Sequence, residues 1–325
     1  MAKKKTTVKL KQTATKKKEV VVATKLAAPA KSKTGMVIGI VALIIAALIA
    51  ESYIIIQKQI KFSKKPTFKS TWSASSNKAI SGIQVYGESA YVIDAANNQV
   101  CRYDKTSGKL TGIYQAKINT CSAAEGKDGI VYVLIADGTI LKFKGEKPAG
   151  EIKIIDGVTK ASWITVDSLG NFYVADNDRK AIVKLDQNFV KLLEFAGVGT
   201  TKDKLASLGK IYMSPMDEVY VLDAVTKEVK AFSSEGKFLK AFKVTNIEKF
   251  SGLEALAISP GGDVYVNDFN GSMILEFGKD GKIKGKFDTD SNGSFKVSYP
   301  GVVAGGSDGI IIVSSANIGV FEEIK

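Results

Sequence analysis

Residues 164–186 read ITVDSLGNFYVADNDRKAIVKLD, and this stretch decides the fold class of the chain. Its short apolar runs alternate with clusters of Asp, Asn, Ser and Gly. β-branched and aromatic residues are typical of strands, whereas the polar clusters are typical of tight turns. The stretch therefore predicts three short strands joined by two turns.

The same pattern recurs along the chain at a regular interval. The strand that begins at Tyr173 has counterparts beginning at Tyr91, Tyr132, Tyr220, Tyr265 and Ile312. These starting points are 41, 41, 47, 45 and 47 residues apart, which is the period of a propeller blade. Each copy follows another short apolar run, so one unit holds four strands. The sequence predicts an all-β fold, a six-bladed β-propeller over residues 67–325, without long helices.

The two ends of this region complement each other. The sixth unit stops at Lys325 without the outer strand that ends the other units, and a spare strand, TFKSTW, occupies residues 67–72. We expect this strand to complete the last blade and close the ring, because closure removes an exposed sheet edge.

Two of the units resemble the NHL repeat, namely residues 164–186 and the stretch ALAISPGGDVYVNDFNGSMILEFGKDGK at 255–282. The resemblance implies a six-bladed propeller but says little about chemistry. Lyases and amidating enzymes of this kind use histidine, and this chain has none, so the resemblance does not support those activities. Calcium-dependent propeller lactonases use Glu, Asp and Asn around the central channel. Calcium is therefore left open as a cofactor, although the residues themselves predict none.

The net charge of +13 is confined to the start of the chain. Residues 1–34 carry 11 Lys and one Glu, residues 35–65 carry four Lys and one Glu, and residues 66–325 carry 31 basic and 31 acidic side chains. The balanced charge of the propeller argues against nucleic acid as its partner. A separate hypothesis is that the basic tail itself is an arm that binds nucleic acid.

The N-terminal region predicts a membrane anchor. Residues 1–34 form a disordered Lys-rich tail, 35–57 a transmembrane signal-anchor helix and 58–66 a short stalk. A buried core helix and a cleavable signal peptide are the alternatives for the apolar segment. The crowded lysines before it place the N-terminus in the cytoplasm and the propeller outside, with the lipid bilayer as a partner.

Candidate binding residues lie at turns after the second strand of a unit. Acidic and amide side chains recur there, and their commonest role is to accept backbone N–H bonds. Arg179 stands out as one of only two arginines, and an ion pair with Asp176 or Asp178 is its alternative role. The residues selected as ligand or partner contacts are Asn97, Asn177, Asp178, Arg179, Asn267 and Phe269.

Cys101 and Cys121 are the only cysteines. Two readings stay open, a disulfide between adjacent blades or two buried thiols.

The sequence thus favours a binding, sensor or scaffold module for a protein, glycan or small ligand. The alternative is a calcium-dependent hydrolase or lyase with its site at the central channel. No catalytic or metal-ligating residue can be assigned from the sequence.

Overall fold

In a computed structural model, the described residues are 68–75, 80–154, 158–244, 255–259, 261–268, 273–287, 302–305, 310–313 and 317–323. They contain no helix, and every regular element among them is a β-strand. The strands in chain order are β1 (Phe68–Ser75), β2 (Ile80–Tyr86), β3 (Ser89–Asp94), β4 (Gln99–Asp104), β5 (Leu110–Gln115), β6 (Thr120–Glu125), β7 (Ile130–Ile135), β8 (Thr139–Lys144), β9 (Lys147–Lys153), β10 (Ala161–Val166), β11 (Phe172–Asp176), β12 (Ala181–Leu185), β13 (Lys191–Ala196), β14 (Ile211–Met213), β15 (Val219–Asp223), β16 (Glu228–Phe232), β17 (Phe238–Lys243), β18 (Leu256–Ile258), β19 (Val264–Asp268), β20 (Met273–Phe277), β21 (Ile283–Phe287), β22 (Val302–Gly305), β23 (Ile310–Val313) and β24 (Asn317–Glu323).

These strands form four-stranded antiparallel sheets arranged as a propeller. Five blades consist of four consecutive strands each, from β2–β5 to β18–β21. A further sheet has the order β1-β24-β23-β22, so it combines strands from both ends of the described chain. The expectation of an all-β propeller is therefore confirmed.

The first and last described strands are paired. β1 runs antiparallel to β24, with Phe68 opposite Glu323 and Ser75 opposite Asn317. The register shifts between Ser70 and Trp72. Strand β24 consequently has hydrogen-bonding partners on both sides, β23 and β1.

The first strands of the units line the centre of the molecule. Contacts link β2 to β6, β6 to β10, β10 to β14, β14 to β18, β18 to β22, and β22 back to β2. We call β2, β6, β10, β14, β18 and β22 the inner strands.

The recurrent tyrosine of the second strand explains much of the packing between blades. Tyr91, Tyr132, Tyr173, Tyr220 and Tyr265 are all buried. Tyr91 donates from Oη to Glu125 of the next blade at 2.7 Å, and Tyr173 donates to Asp167 of its own blade at 3.0 Å. Buried tyrosines are stable when the ring is packed and the hydroxyl has a partner. The tyrosine therefore serves the structure at these positions.

The fourth strand of a blade, which we call the outer strand, is only partly buried. In β13 and β17, half-buried and exposed residues alternate, because one face packs on the next blade and the other faces water. In contrast, every residue of β11 and β15 is buried.

No helix in the described part of the chain is long and apolar enough to cross a membrane. The predicted tail (1–34), signal-anchor helix (35–57) and stalk (58–66) all lie outside the described residues.

Candidate functional site

The inner strands leave a cavity at each end of the central channel. A cavity of about 420 Å³ lies where these strands end, and its wall includes Tyr86, Val166, Met213, Ile258 and Gly305. We call it the end mouth. A second cavity of about 360 Å³ lies where the strands begin, and we call it the start mouth.

Side chains fill the channel between the two mouths. The ring of Trp163 in β10 reaches β2 so closely that a Cβ atom on Gly82 would lie 2.7 Å from its carbons Cη2 and Cζ3. Because β2 and β10 are not neighbours in the ring of inner strands, this contact crosses the channel. Only glycine at position 82 leaves room for the indole.

Gln84 holds a second layer across the same channel. Its Nε2 donates to Ser122 Oγ in β6 at 2.5 Å and to the Ile164 carbonyl in β10 at 2.6 Å. Its Oε1 accepts from Tyr86 Oη at 2.5 Å. Both N–H groups of this buried amide and its oxygen are thus engaged, which fixes the floor of the end mouth.

The rim of the end mouth is built by loops that join the first and second strands of two blades. Ser168 donates from its backbone nitrogen to Asp217 Oδ1 at 2.8 Å and from Oγ to Asp217 Oδ2 at 2.5 Å. This pair ties the third blade to the fourth. Beside it, Leu169 and Met216 expose 67% and 75% of their surface to solvent.

Asp167 also lines the end mouth, but its carboxylate is committed to the fold. It accepts from Asn171 Nδ2 and Tyr173 Oη, each at 3.0 Å, and lies 3.5 Å from Lys184 Nζ. Burial alone raises the pKa of Asp167, but these donors outweigh it and lower the pKa below its usual value. A carboxylate held ionised in this way is poorly suited to give or take a proton near neutral pH.

The residues predicted from the sequence lie on the start face. Asn97 is exposed and donates from Nδ2 to Asp94 at 2.8 Å, whereas Asn267 is fully buried and accepts from the Ala255 backbone at 2.8 Å. Asn177 is exposed, lines the start mouth and accepts from Ser162 Oγ at 2.9 Å. Phe269 lies outside the described residues.

Asp178 and Arg179 share the turn with Asn177 but face different partners. Asp178 lies 3.9 Å from Lys160 Nζ. Arg179 pairs with Asp176 at 3.1 Å and with Glu194 at 2.8 Å. The structure therefore brings Asn177, Asp178 and Arg179 together in one turn, with Arg179 engaged in ion pairs.

The buried aspartates at these turns accept hydrogen bonds from their own blade. Asp176 binds the backbone nitrogens of Thr159 and Lys160, at 2.8 and 3.3 Å, and Asp223 binds that of Ala206 at 2.8 Å. Oxygens engaged in this way do not fit a calcium ion, which needs several of them converging on one point. Within the described ranges, no three His, Cys, Asp or Glu side chains are grouped so that they could hold a metal ion.

Both cysteines are thiols, and no disulfide joins them. Cys101 is buried in β4 among apolar neighbours. Cys121 lines the start mouth, and its Sγ lies 3.6 Å from the Ala161 carbonyl. Burial, reinforced by Asp137, raises the pKa of the Cys121 thiol to about 11. The structure thus has two thiols, of which Cys101 is buried and Cys121 is partly exposed.

The comparisons with known proteins bear on the fold alone. No family model and no curated protein matches the chain. Among solved structures, virginiamycin B lyase from Staphylococcus aureus aligns with a TM-score of 0.58 at 14% identity, over 79% of this chain and all of the other. A catalytically inactive histidine-to-alanine variant of that lyase with quinupristin gives 0.56 at 15% identity, over 75% and 80% of the two chains. A streptogramin B lyase gives 0.55 at 12%, over 80% and 88%.

The residues that fill the channel were not singled out by the sequence reasoning. The sequence does contain a signal for Trp163. In each of the first three blades, one residue of the inner strand lies opposite the second residue after the recurrent tyrosine. This residue is Gly82 in β2, Ser122 in β6 and Trp163 in β10. A large ring at a position that is small in β2 and β6 marks a side chain that reaches beyond its own blade.

Proposed function

We propose that this chain is a binding propeller whose end mouth receives a small ligand or a protruding segment of a partner protein. The observation that carries this is the cavity of about 420 Å³ over a floor fixed by Gln84. Its volume falls within the range of roughly 300–1,000 Å³ that is usual for ligand pockets.

The composition of the end mouth defines the kind of ligand. Ile83, Val85 and Ile258 supply apolar wall, while Thr165 and Ser168 supply hydroxyl groups. Leu169 and Met216 extend the apolar surface outward from the rim. This arrangement suits a molecule with an apolar body and a few polar groups, such as an aromatic amide, a hydrophobic peptide loop or the face of a sugar.

Binding can be tested at the rim without disturbing the core. The double variant Leu169→Asp, Met216→Asp places charges on two exposed apolar side chains. Val190→Asp is the matched control, because Val190 is an exposed apolar residue of the turn between β12 and β13 and does not line the mouth. Saturation-transfer NMR of the full chain against aromatic amides, short peptides and sugars should give hits that the double variant loses and the control keeps. Hits retained by the double variant would place binding elsewhere.

The alternative function is a propeller lyase, and the likeness to streptogramin B lyases favours it at the level of the fold. The missing histidine counts against it, since the histidine-to-alanine variant of the similar lyase is described as inactive. The chain is incubated with quinupristin in the presence of calcium, of magnesium or of a chelator, and the mixture is analysed by liquid chromatography and tandem mass spectrometry. A new product, including one of unchanged mass, would support the alternative, and unchanged quinupristin would dismiss it.

The remaining proposals concern the whole chain. The sheet β1-β24-β23-β22 is taken as a sixth blade of NHL-like type, an assignment supported by the contacts of β22 with β2 and β18.

The lysine-rich start and the apolar segment of residues 36–56 support a membrane anchor with the propeller outside the cytoplasm. Protease added to intact bacterial cells that make the chain should then degrade the propeller, whereas full protection would reverse the orientation.

A further inference from the structure

The start mouth combines positive charge with two polar groups for which the described part of the chain offers no hydrogen-bond partner. Its wall includes Ser81, Cys121, Lys160, Trp163, Asn177 and Lys210. Neither Asp nor Glu is among the described residues that line it. A cavity with two ammonium groups and no carboxylate in its wall attracts anions.

Two buried groups in this wall have no hydrogen-bond partner among the described residues. They are the indole Nε1 of Trp163, a residue only 1% exposed, and the hydroxyl Oγ of Ser81. Leaving such a group unpaired costs about 1–3 kcal/mol, so native structures seldom do it without a reason. Both groups can donate a hydrogen bond, and both belong to residues that line the same cavity.

Lys210 fixes a positive charge beside these two donors. Its Nζ donates to the Ser81 carbonyl at 2.7 Å and lies 5.3 Å from the centroid of the Trp163 ring. This contact joins the loop before β14 to β2 on the other side of the ring of inner strands. The ammonium is therefore held over the indole at the entrance to the channel.

Lys160 adds a second, more exposed charge on another side. Its Nζ lies 3.9 Å from Asp178, and 63% of its side chain is accessible. Nearby Asp176 is committed to backbone nitrogens and Arg179, and Asp137 pairs with Lys153 at 2.9 Å. These aspartates are engaged with their own partners outside the cavity wall.

We infer that the start mouth is a binding site for a small ligand that carries an oxyanion, a carboxylate or a phosphate. The oxyanion accepts hydrogen bonds from Trp163 Nε1 and Ser81 Oγ, and the ammonium groups of Lys210 and Lys160 balance its charge. The rest of the ligand occupies the cavity of about 360 Å³ beside Asn177 and Cys121. Because Trp163 and Gln84 fill the channel, this site is independent of the proposed site at the end mouth.

Tryptophan fluorescence reports directly on this site. The chain has only two tryptophans, so in the full-length variant Trp72→Phe, kept soluble in a mild detergent, the emission comes from Trp163. Inorganic phosphate, acetate, benzoate and citrate are titrated at constant ionic strength, with chloride as the control. A saturable change with at least one oxyanion, and none with chloride, is expected. The phosphate and carboxylate arms separate the two classes of ligand.

Variants assign the effect to the cavity. Lys210→Gln and Lys160→Gln should each weaken oxyanion binding, by about tenfold for Lys210, because a charge-assisted hydrogen bond contributes roughly 1.5–3 kcal/mol. Lys109→Gln removes the same charge from an exposed turn on the opposite face and should leave the affinity within about twofold. Equal losses of oxyanion affinity in all three variants would show a general electrostatic effect of the protein surface. That result would overturn the inference of a specific site.

The variant Ser81→Ala distinguishes a hydroxyl group that binds a ligand from one that stabilises the fold. It removes a hydroxyl group that has no partner among the described residues, so thermal stability should stay the same or rise, while oxyanion binding weakens. Lower stability with unchanged binding would show that the hydroxyl serves the fold. If no oxyanion changes the Trp163 emission and isothermal calorimetry shows no heat of binding, a bound water satisfies both donors and the inference fails.

Discussion

At the scale of single residues, the aspartate that ends the second strand of a blade decides local stability. Asp176 is fully buried and receives backbone hydrogen bonds from Thr159, Lys160 and Asp178, together with the guanidinium of Arg179. Burial alone would raise the pKa of Asp176, but these donors lower it. In the fifth blade the residue one position earlier, Asn267, is also buried and accepts a hydrogen bond from the Ala255 nitrogen.

We expect Asp176→Asn to lower the free energy of unfolding by about 1–2 kcal/mol at pH 7, and Asp176→Ala by on the order of 3 kcal/mol, because buried N–H groups lose their acceptor. An aspartate with a lowered pKa stabilises the fold above the unfolded-state value of about 3.9, and the contribution is lost as the pH falls through the folded-state pKa. Urea unfolding between pH 3 and 8 should therefore show the wild type and Asp176→Asn converging in acid. Asp178→Asn, in an exposed position of the same turn, should change stability by less than about 0.5 kcal/mol. If the difference in unfolding free energy between the wild type and Asp176→Asn were the same at every pH, the charge of Asp176 would not contribute to stability.

The cysteines give a second prediction at this scale. With a pKa of about 11, the Cys121 thiol is almost entirely protonated at pH 8. Since the thiolate is the reactive form, maleimide should label folded Cys121 on the order of a hundredfold more slowly than an ordinary thiol. After denaturation without a reductant, two thiols per chain should react, and only one in Cys121→Ser. Absence of labelling in the denatured, unreduced wild type would instead establish a disulfide.

At the scale of elements, the clamp between Ser168 and Asp217 joins loops of two blades. Asp217 has a φ of +57°, a conformation that Asn and Asp tolerate better than most residues. Both of its carboxylate oxygens are used by Ser168. The loop geometry at the end mouth thus depends on one side chain.

Asp217→Ala should lower the free energy of unfolding by about 1–3 kcal/mol, because it removes both bonds and places alanine at a positive φ. Asp217→Asn retains an acceptor oxygen, and asparagine tolerates the positive φ at this position. Less than half of that loss in the free energy of unfolding is therefore expected. Hydrogen exchange should rise in residues 167–171 and 214–218 and stay unchanged in β11 and β12. Asn188→Ala, an exposed turn residue on the same face, is the control. Faster exchange throughout the molecule would show that the clamp is not local.

The sequence predicted the elements better than the sites. Strand alternation and the recurrent tyrosine depend on local pattern, so the strands around Tyr91, Tyr173 and Tyr220 could be placed from the residues alone. The two mouths depend on which side chains reach across the channel, and no local pattern specifies that Trp163 meets Gly82 eighty residues away. Asn177 was selected because it stands at a recurrent turn, and its role in binding stays a prediction. Ser81 and Lys210 were missed because their importance comes from the cavity that they share.

At the scale of the whole molecule, side chains in the channel separate the end mouth from the start mouth. Trp163 and Gln84 connect inner strands that are not adjacent, so the blades are joined across the axis as well as around it. A ligand at one mouth therefore has no open path to the other.

The pairing of β1 with β24 joins the two ends of the described chain. In the five blades of consecutive strands the outer strand follows the third strand directly, whereas β24 pairs with β1 from the opposite end of the described chain. A chain that begins at residue 80 leaves β24 with an exposed edge, which promotes aggregation. We expect it to be insoluble or to melt about 10 °C lower or more, since the loss of a paired strand amounts to several kcal/mol. A chain that begins at residue 66 keeps β1 and should melt within about 2 °C of the full chain. Appending residues 66–76 after Lys325 through a short glycine-rich turn should restore the truncated chain, because the strand then follows β24 directly, as the outer strand does in the five blades of consecutive strands. Equal melting temperatures with and without β1, measured by circular dichroism, would show that the ring does not need this strand.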